Sequence, residues 1–270
     1  MSLLQRAKRL IYLHKFSPKK HLGQNFAVDR ALLQRMISYA SIKKEDVVLE
    51  VGAGLGFLTE LLSQECKRVV AVEVDSKLMK ILKDQLHGVQ NVDLIEGDIL
   101  SINVPSFNKM VSTPPYSISS PILFWLLERA FDRAILTFQK EFAERMVAHV
   151  GSKDYGRLTV STYYRAEAEL LDYVSRDMFY PLPDVDSIVV RLKPRKPPFR
   201  VRDEKIFFEL VRTLFTQRNK KVRNAIIPFL HNRGIEKKDM AKLADSLLFH
   251  DERVRQLAPE DFGVLADEFA

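Results

Sequence analysis

The side chains best placed for chemistry in this sequence follow short apolar runs. The run Val47–Leu49 leads into Gly52–Gly56, where every second residue is glycine, and the run Val69–Val72 ends in the carboxylate of Glu73. Glycine lets the backbone turn tightly and approach a ligand closely. A carboxylate about twenty residues past the first glycine can accept both hydroxyl hydrogen bonds of a ribose. Together the two segments predict a nucleoside cofactor.

The glycine spacing discriminates between nucleoside cofactors. A dinucleotide fingerprint requires a glycine three residues after the second one, and Phe57 occupies that position. The sequence also has no Gly-Lys-Ser/Thr phosphate loop. The pattern therefore favours a cofactor without a pyrophosphate, and S-adenosylmethionine, a nucleoside with a small charged amino-acid tail, fits it. The alternative is a glycine-rich turn of an ordinary α/β protein, which Glu73 and Asp98, each at the end of a predicted strand, make less favoured.

A proline pair follows the fourth predicted strand, in the segment Thr113-Pro114-Pro115-Tyr116. Ligands of a parallel α/β sheet bind at the carboxyl ends of its strands, so this segment should face the same crevice as the glycines. The prolines fix the backbone, and Tyr116 offers a ring on which a flat base can stack. Acceptor oxygens that hold the hydrogens of an exocyclic amine aim its lone pair at a methyl group. The segment thus predicts amine methylation, the alternative being a Pro-Pro turn capped by a core tyrosine.

The elements that must position these residues alternate along the chain. Apolar runs and amphipathic segments succeed each other over residues 47–139, which predicts a mostly parallel sheet covered by helices, the Rossmann-like α/β class. The segment Gly156–Leu171 stays open between helix and strand. Predicted strands are Val47–Gly52, Val69–Val74, Val92–Glu96, Lys109–Ser112, Ala134–Phe138 and Ser187–Leu192, and predicted helices include Leu58–Gln64 and Leu78–Leu86.

A proline-rich linker, Lys193–Pro198, divides the chain because its prolines can continue neither a helix nor a strand. Helical periodicity follows from about Asp203 onwards. We therefore predict two domains: residues 1–194, which bind the cofactor and carry a basic N-terminal segment, and residues 199–270, a small helical domain that binds RNA.

Composition narrows the class of partner. The chain has 270 residues, a net charge of +7 and a sequence pI of about 9.3, which favours a polyanion and leaves RNA, DNA and an anionic membrane open. It has no apolar run long enough to span a bilayer and no secretory signal, although the basic N-terminus leaves an organellar-targeting segment open. The lone Cys66 excludes an internal disulfide, and the six histidines lack ligand spacing. We predict a cytoplasmic protein without a metal.

Two basic clusters could contact RNA phosphates. The stretch Thr216–Arg223 is predicted to be a helix with a basic face, and the N-terminal cluster lies within Lys8–His21. Solvated charged faces are the alternative for either cluster alone. The predicted RNA-binding residues are Lys19, Lys20, Arg218, Lys220, Lys221 and Arg223.

Motifs in a fixed order carry a family resemblance. They are His21–Phe26, Glu50–Gly56, Glu73, Gly97–Ile99, Pro115-Tyr116 and Phe179–Ser187, extended by Asp154–Leu158 and Gln217–Lys220. In this order they closely resemble the ribosomal RNA adenine N6,N6-dimethyltransferases, over roughly residues 15 to 260. Gln217–Arg223 matches the ribosome-maturation branch better than the related macrolide-resistance methylases.

The resemblance implies a class I methyltransferase fold and S-adenosylmethionine-dependent dimethylation of two adjacent adenines in small-subunit rRNA. The substrate would be a pre-ribosomal small subunit, and the enzyme a monomer. Resemblance also assigns roles. Cofactor binding would fall to Gln24, Asn25, Ala27, Gly52, Gly54, Gly56, Glu73, Asp98, Ile99 and Thr113, and the target adenine would be framed by Thr113, Pro114, Pro115, Tyr116 and Phe179. A core aromatic is the alternative for Phe179.

One residue departs from the family pattern. Thr113 stands where the family has asparagine, and a threonine hydroxyl is shorter than an amide and both donates and accepts. The departure leaves open a slow enzyme or an inactive RNA-binding assembly factor. An amine methylase acting on DNA adenine or protein glutamine is a further alternative, although no large target-recognition insert is visible.

Overall fold

The fold, given for all of residues 1–270 by a computed structural model, consists of two units that are each assembled from separate chain segments. The first contains residues 1–143 and 168–194, and the second contains residues 144–167 and 195–270. The division at residue 194 falls where the proline-rich linker begins. The sequence-based domains, in contrast, place residues 144–167 in the first domain, whereas their side chains pack into the helical core of the second unit.

A seven-stranded sheet forms the centre of the first unit. Its strand order is β4-β3-β2-β5-β6-β9-β7. The strands from β2 to β6 are parallel, and β9 runs antiparallel to β6. All six predicted strands are present, with ends that shift by no more than two residues. The strands are β1 Phe26–Ala27, β2 Val47–Val51, β3 Arg68–Glu73, β4 Val92–Glu96, β5 Lys109–Ser112, β6 Arg133–Gln139, β7 Ala166–Val174, β8 Phe179–Tyr180 and β9 Ser187–Pro194.

The strand order reverses between β2 and β5, which are neighbours in the sheet. From β2 the chain adds β3 and β4 on one side, and then returns to add β5 and β6 on the other. Such a reversal opens a crevice at the carboxyl ends of the two central strands. Gly52 directly follows β2 and Thr113 directly follows β5, so the residues predicted to act together lie at this crevice.

Helices cover the sheet, and side-chain caps define where several of them begin. The Asp29 carboxylate accepts from the backbone N–H of Leu32 at 2.7 Å, and Asp75 accepts from that of Lys77 at 3.0 Å. Such caps satisfy backbone donors that the first turn leaves unpaired. The helices are α1 Leu3–Leu13, α2 Arg30–Ala40, α3 Phe57–Ser63, α4 Ser76–Gln85, α5 Ser119–Leu127 and α6 Lys140–Met146.

The second unit is helical around an aromatic core. The segment Gly156–Leu171 resolves into a helix followed by strand β7. Buried rings of Tyr155, Tyr164, Phe207 and Phe229 lie in this core. Its helices are α7 Arg157–Arg165, α8 Glu204–Phe215, α9 Val222–Ala225, α10 Ile227–Asn232, α11 Lys237–Ser246 and α12 Pro259–Asp267. None of the helices of the chain is both long and apolar enough to cross a bilayer.

The helix predicted over Thr216–Arg223 is wrong. Residues 216–220 form turns and a bend, Lys221 forms an antiparallel bridge with Arg253, and α9 begins only at Val222. The reason is backbone pairing with a distant segment: the N–H of Val222 donates to Glu252, and that of Val254 donates to Lys220, at 2.8 and 3.0 Å. These long-range bonds replace the helical ones that the local sequence favours.

Candidate active site

The crevice at the end of β2 and β5 contains two adjoining pockets, with volumes of about 50 and 160 Å³. The first is lined by residues of the N-terminal segment and the glycine loop, among them Asn25 and Gly54. The second is lined by the loop after β4, including Asp98 and Ile99. Five residues line both pockets: Leu22, Gly52, Glu73, Val74 and Pro115. Glu73 therefore stands on a wall common to the two pockets.

The Glu73 carboxylate also organises the loops around it. One oxygen accepts from the backbone N–H of Gly54 and the other from that of Asp75, both at 2.9 Å. Burial raises the pKa of Glu73, and these backbone donors oppose the rise. Each carboxylate oxygen has a second lone pair, so both can still accept a ribose hydroxyl. The sequence indicated the ribose contact and missed the structural role.

The glycines of the loop are required by protein packing. Gly54 has a φ of +57°, and a Cβ there would lie 2.9 Å from the Phe26 ring. At Gly52, with a φ of +78°, a Cβ would lie 3.1 Å from Pro115 Cδ. Gly56 starts α3 with a φ of +81°. The glycine spacing predicted close approach to a ligand, whereas contacts with Phe26 of β1 and with Pro115 account directly for Gly54 and Gly52.

Glu50 is the pocket residue that sequence reasoning missed. Its side chain lines the first pocket, is 2 % exposed, and has one carboxylate oxygen without a hydrogen-bond partner. Burial, together with the nearby charge of Glu73, raises the pKa of Glu50 to about 8. An unpartnered buried acceptor facing a pocket suits a cationic ligand group such as an ammonium. The available signal was a carboxylate within the otherwise apolar β2.

We expect Glu50 to make the protein less stable as pH rises from about 4.5 to 8. Over this range the folded state binds a proton that the unfolded state has lost, because the folded pKa is the higher one. The free energy of unfolding should therefore fall by up to about 1.4 kcal/mol per pH unit from this group. Glu50→Gln, which is neutral throughout, should remove that part of the slope in denaturant titrations. Equal slopes for both proteins would show that Glu50 is ionised in the fold.

The N-terminal segment is held against the start of α4. The Gln24 amide accepts from Lys19 N–H at 2.7 Å and donates to Asp75 Oδ2 at 2.9 Å, and Lys19 Nζ lies 2.9 Å from the same oxygen. Asn25 and Ala27 line the first pocket, and β1 pairs with β8. Gln24 and Lys19 thus hold the segment that forms one wall of the pocket.

The predicted target-side residues come together as well. The Tyr116 hydroxyl lies 2.5 Å from Ser187 Oγ, and its ring meets the Phe179 ring edge-on at a centroid distance of 6.5 Å. Burial raises the pKa of Tyr116, so its phenol stays neutral. Phe179 is only 4 % exposed and packs in the core of the first unit, as the alternative interpretation expected, and its role in the site stays a prediction. Thr113 and Pro115 line the first pocket.

The cations of the second unit that were predicted to bind RNA are largely engaged within the protein. The Arg218 guanidinium donates to the backbone carbonyls of Ser152 and Lys153, at 2.8 and 2.7 Å. Lys221 and Arg223 lie 2.7 and 3.3 Å from Asp251. Lys220, like Lys20 of the first unit, is exposed. No group of three or more His, Cys, Asp or Glu side chains is arranged to hold a metal ion.

The parallel sheet, its reversal point and the pockets beside Glu73 define a class I methyltransferase of Rossmann-like fold. The family model for ribosomal RNA adenine dimethylases matches residues 15–261. The chain therefore belongs to the ribosomal RNA adenine dimethylase family, which confirms the resemblance seen in the sequence.

Individual relatives agree with this assignment. The probable ribosomal RNA small subunit methyltransferase A of Methanosarcina acetivorans is 44% identical over 246 residues, which cover 90% of this chain and 91% of the relative. That of Thermococcus kodakarensis is 41% identical over 255 residues, 93% of this chain and 90% of the relative. Among solved structures, a dimethyladenosine transferase from Plasmodium falciparum is 31% identical with a TM-score of 0.76, covering 89% of this chain and 96% of its own. The 23S rRNA methyltransferase ErmE is 29% identical with a TM-score of 0.65, covering 90% and 98%.

Proposed function

We propose that this protein uses S-adenosylmethionine to dimethylate the exocyclic amines of two adjacent adenines in small-subunit rRNA, on a pre-ribosomal small subunit. The observation that carries the proposal is the pair of pockets with Glu73 on their common wall. The cofactor has three parts in line, an amino acid, a ribose and an adenine. A central carboxylate between two pockets matches that order.

Residues of the crevice fit the three parts of the cofactor. Glu50, with its unpartnered oxygen, and Asn25 would hold the amino-acid end in the first pocket. Glu73 would accept the ribose hydroxyls, and Asp98 with Ile99 would hold the adenine in the second pocket. When bound, S-adenosylmethionine supplies an electrophilic methyl group.

The target side of the crevice is suited to orient an amine. The backbone carbonyl of Pro114 would accept a hydrogen of the adenine amine, whereas that of Pro115 already accepts from the N–H of Ile118 at 3.1 Å. Tyr116 and Phe179 would hold the base, with the Tyr116 ring fixed through Ser187. Orientation of this kind directs the nitrogen lone pair at the methyl carbon. The amine proton then leaves to solvent.

Phosphate contacts belong to the same proposal. Lys20 and Lys220 are exposed and available to phosphates. Lys19, Arg218, Lys221 and Arg223 would have to share or exchange their present partners to contact RNA. A monomeric enzyme in the cytoplasm remains a prediction.

Thr113 favours a second candidate, an RNA-binding assembly factor with little or no catalysis. The two candidates separate when the protein is incubated with methyl-labelled cofactor and small ribosomal subunits that lack the modification, followed by mapping of the labelled base. Label in two adjacent adenines supports the proposed enzyme. Cofactor and subunit binding without label would support the assembly factor. Label only in glutamine of the ribosomal proteins, or only in DNA supplied in a parallel reaction, would support another amine methylase.

Ser187→Ala should lower methylation efficiency on RNA about threefold to tenfold, because the Tyr116 hydroxyl loses its buried partner and the ring its fixed position. Cofactor affinity should stay the same. Tyr116→Phe removes the other half of the bond, so the double variant should be no worse than either single one. Steady-state kinetics that separate KM from kcat provide the measurement. Additive losses would show that the two hydroxyls act independently.

A further inference from the structure

A basic groove lies between α1 and β8 in the first unit, apart from the two pockets of the crevice. It has a volume of about 530 Å³, within the ~300–1,000 Å³ typical of ligand sites. Tyr12, on its rim, is 82% exposed. The lining residues are Lys8, Ile11, Tyr12, Leu13, Lys15, Phe16 and Tyr180, none of which is acidic. We call this surface the α1 groove.

The sequence of α1 places these side chains on one face. Ala7 and Leu10 are buried in the core of the first unit, whereas Lys8 and Tyr12 lie four residues apart and therefore share a face of the helix. Lys8 Nζ stands 5.5 Å from the centre of the Tyr180 ring. The lysine thus faces the strand that forms the other side of the groove.

The helix is held in place from its opposite side. The Arg6 guanidinium donates to Glu60 Oε2 at 2.6 Å and to Gln85 Oε1 at 2.8 Å. These bonds connect α1 to α3 and α4. Both of these helices contribute residues to the lining of the first pocket. The α1 groove is therefore a fixed feature of the first unit, with two exposed cations and three aromatic rings, those of Tyr12, Phe16 and Tyr180.

We infer that the α1 groove binds an unpaired nucleotide of the RNA substrate that flanks the target adenine. Its base would stack on Tyr12 and Tyr180, and its phosphates would contact Lys8 and Lys15. Aromatic rings alternating with cations are the features by which proteins hold single-stranded nucleic acid. An anionic surface without bases would use the lysines and leave the exposed Tyr12 ring without a role.

Strand β8 connects the groove to the target side of the site. Consecutive residues of a strand point to opposite faces, so Phe179 faces the Tyr116 ring while Tyr180 faces Lys8. A nucleotide on Tyr180 would then lie across β8 from a base held by Phe179, one residue away along the strand. This inference rests on the proposed function, because it takes the target base to lie at Tyr116 and Phe179.

The test measures the affinity of the full chain for two RNAs by fluorescence anisotropy. One is a transcribed small-subunit rRNA hairpin with the two adjacent adenines in its unpaired loop, and the other is a fully paired duplex with the same stem. Tyr12→Ala should weaken hairpin binding at least about fivefold, since base stacking on an aromatic ring is lost. Tyr12→Phe should bind as the unchanged protein does. On the duplex, Tyr12→Ala should have no effect.

Charge variants test the phosphate contacts. Lys8→Gln should weaken hairpin binding and lower the slope of log affinity against log salt by about 0.7, as expected for one lost contact to a single strand. Lys67→Gln removes the same charge from an exposed position before β3, at the opposite end of that strand from Glu73, and should change neither quantity.

The outcomes separate the groove from the proposed function. Methylation of the hairpin together with equal affinities of Tyr12→Ala and the unchanged protein would overturn the groove alone. Tyr12-dependent hairpin binding without methylation would leave the groove standing and count against the enzyme. Losses of equal size on hairpin and duplex, or Tyr12-dependent binding to phosphatidylserine vesicles with none to the hairpin, would also overturn the inference.

Discussion

Thr113→Asn is expected to raise the methylation rate on unmodified small ribosomal subunits at least about tenfold. Thr113 lines the first pocket directly before the proline pair. A threonine oxygen is attached to Cβ, so it reaches less far towards a base than an asparagine amide does. One transition-state hydrogen bond is typically worth about 2.7–4 kcal/mol, or a hundredfold to a thousandfold in rate. We expect a gain smaller than about a hundredfold because the backbone carbonyl of Pro114 already supplies part of that effect.

The gain should appear in the chemical step only. Single-turnover rates should rise, whereas cofactor and RNA affinities should change little, because Thr113 acts on the target amine. The monomethylated amine has one hydrogen left to hold, so the present chain should accumulate more monomethyladenine than Thr113→Asn. Mass spectrometry of the product nucleosides measures that fraction. Ser120→Asn, at an exposed position on α5, serves as the matched control. Equal rates and equal dimethyl fractions would show that threonine serves as well as asparagine.

Glu73→Ala is expected to weaken S-adenosylmethionine binding at least about tenfold. Hydrogen bonds to a charged acceptor are worth roughly 1.5–3 kcal/mol each, and 1.4 kcal/mol is a factor of ten. The structure adds a second effect, because Glu73 also accepts from Gly54 and Asp75. We therefore expect a lower melting temperature, caused by backbone donors that lose a buried acceptor.

A modified ligand separates the two effects of Glu73. S-adenosylhomocysteine and its 2′,3′-dideoxy analogue differ only in the ribose hydroxyls. In the unchanged protein the analogue should bind at least about tenfold more weakly, whereas in Glu73→Ala the two should bind alike. Titration calorimetry provides both affinities. If the analogue binds more weakly than S-adenosylhomocysteine by the same factor in both proteins, Glu73 orders the loops and does not contact the ribose.

The sequence predicts the central sheet well because its strands are short buried apolar runs. Each of the six expected strands is present, and the residues that follow β2 and β5 meet where topology requires. Parallel connectivity explains this success, since the order of elements along the chain constrains which strand ends share a crevice.

Features that depend on distant partners could not be read from the sequence. Turns and a β-bridge at residues 216–221 replace a predicted helix because Lys220 and Val222 bond to a segment thirty or more residues away. The unpartnered oxygen of Glu50 and the backbone bonds of Glu73 likewise arise only when strands and loops meet. The residue pattern of a short segment does not indicate which distant segment it will bond to.

The interleaved course of the chain has a consequence for its synthesis. Strand β9, which pairs with β6, is synthesised only after residues 144–167, which belong to the second unit. Tyr155 and Tyr164 pack in the core of the second unit. Their core partners Phe207, Phe229 and Phe262 are synthesised later. A nascent chain that ends near residue 194 therefore carries Tyr155 and Tyr164 before their aromatic partners in the core have been made. We expect neither unit to fold alone from a continuous fragment, and the second core to form only once α12 has been made.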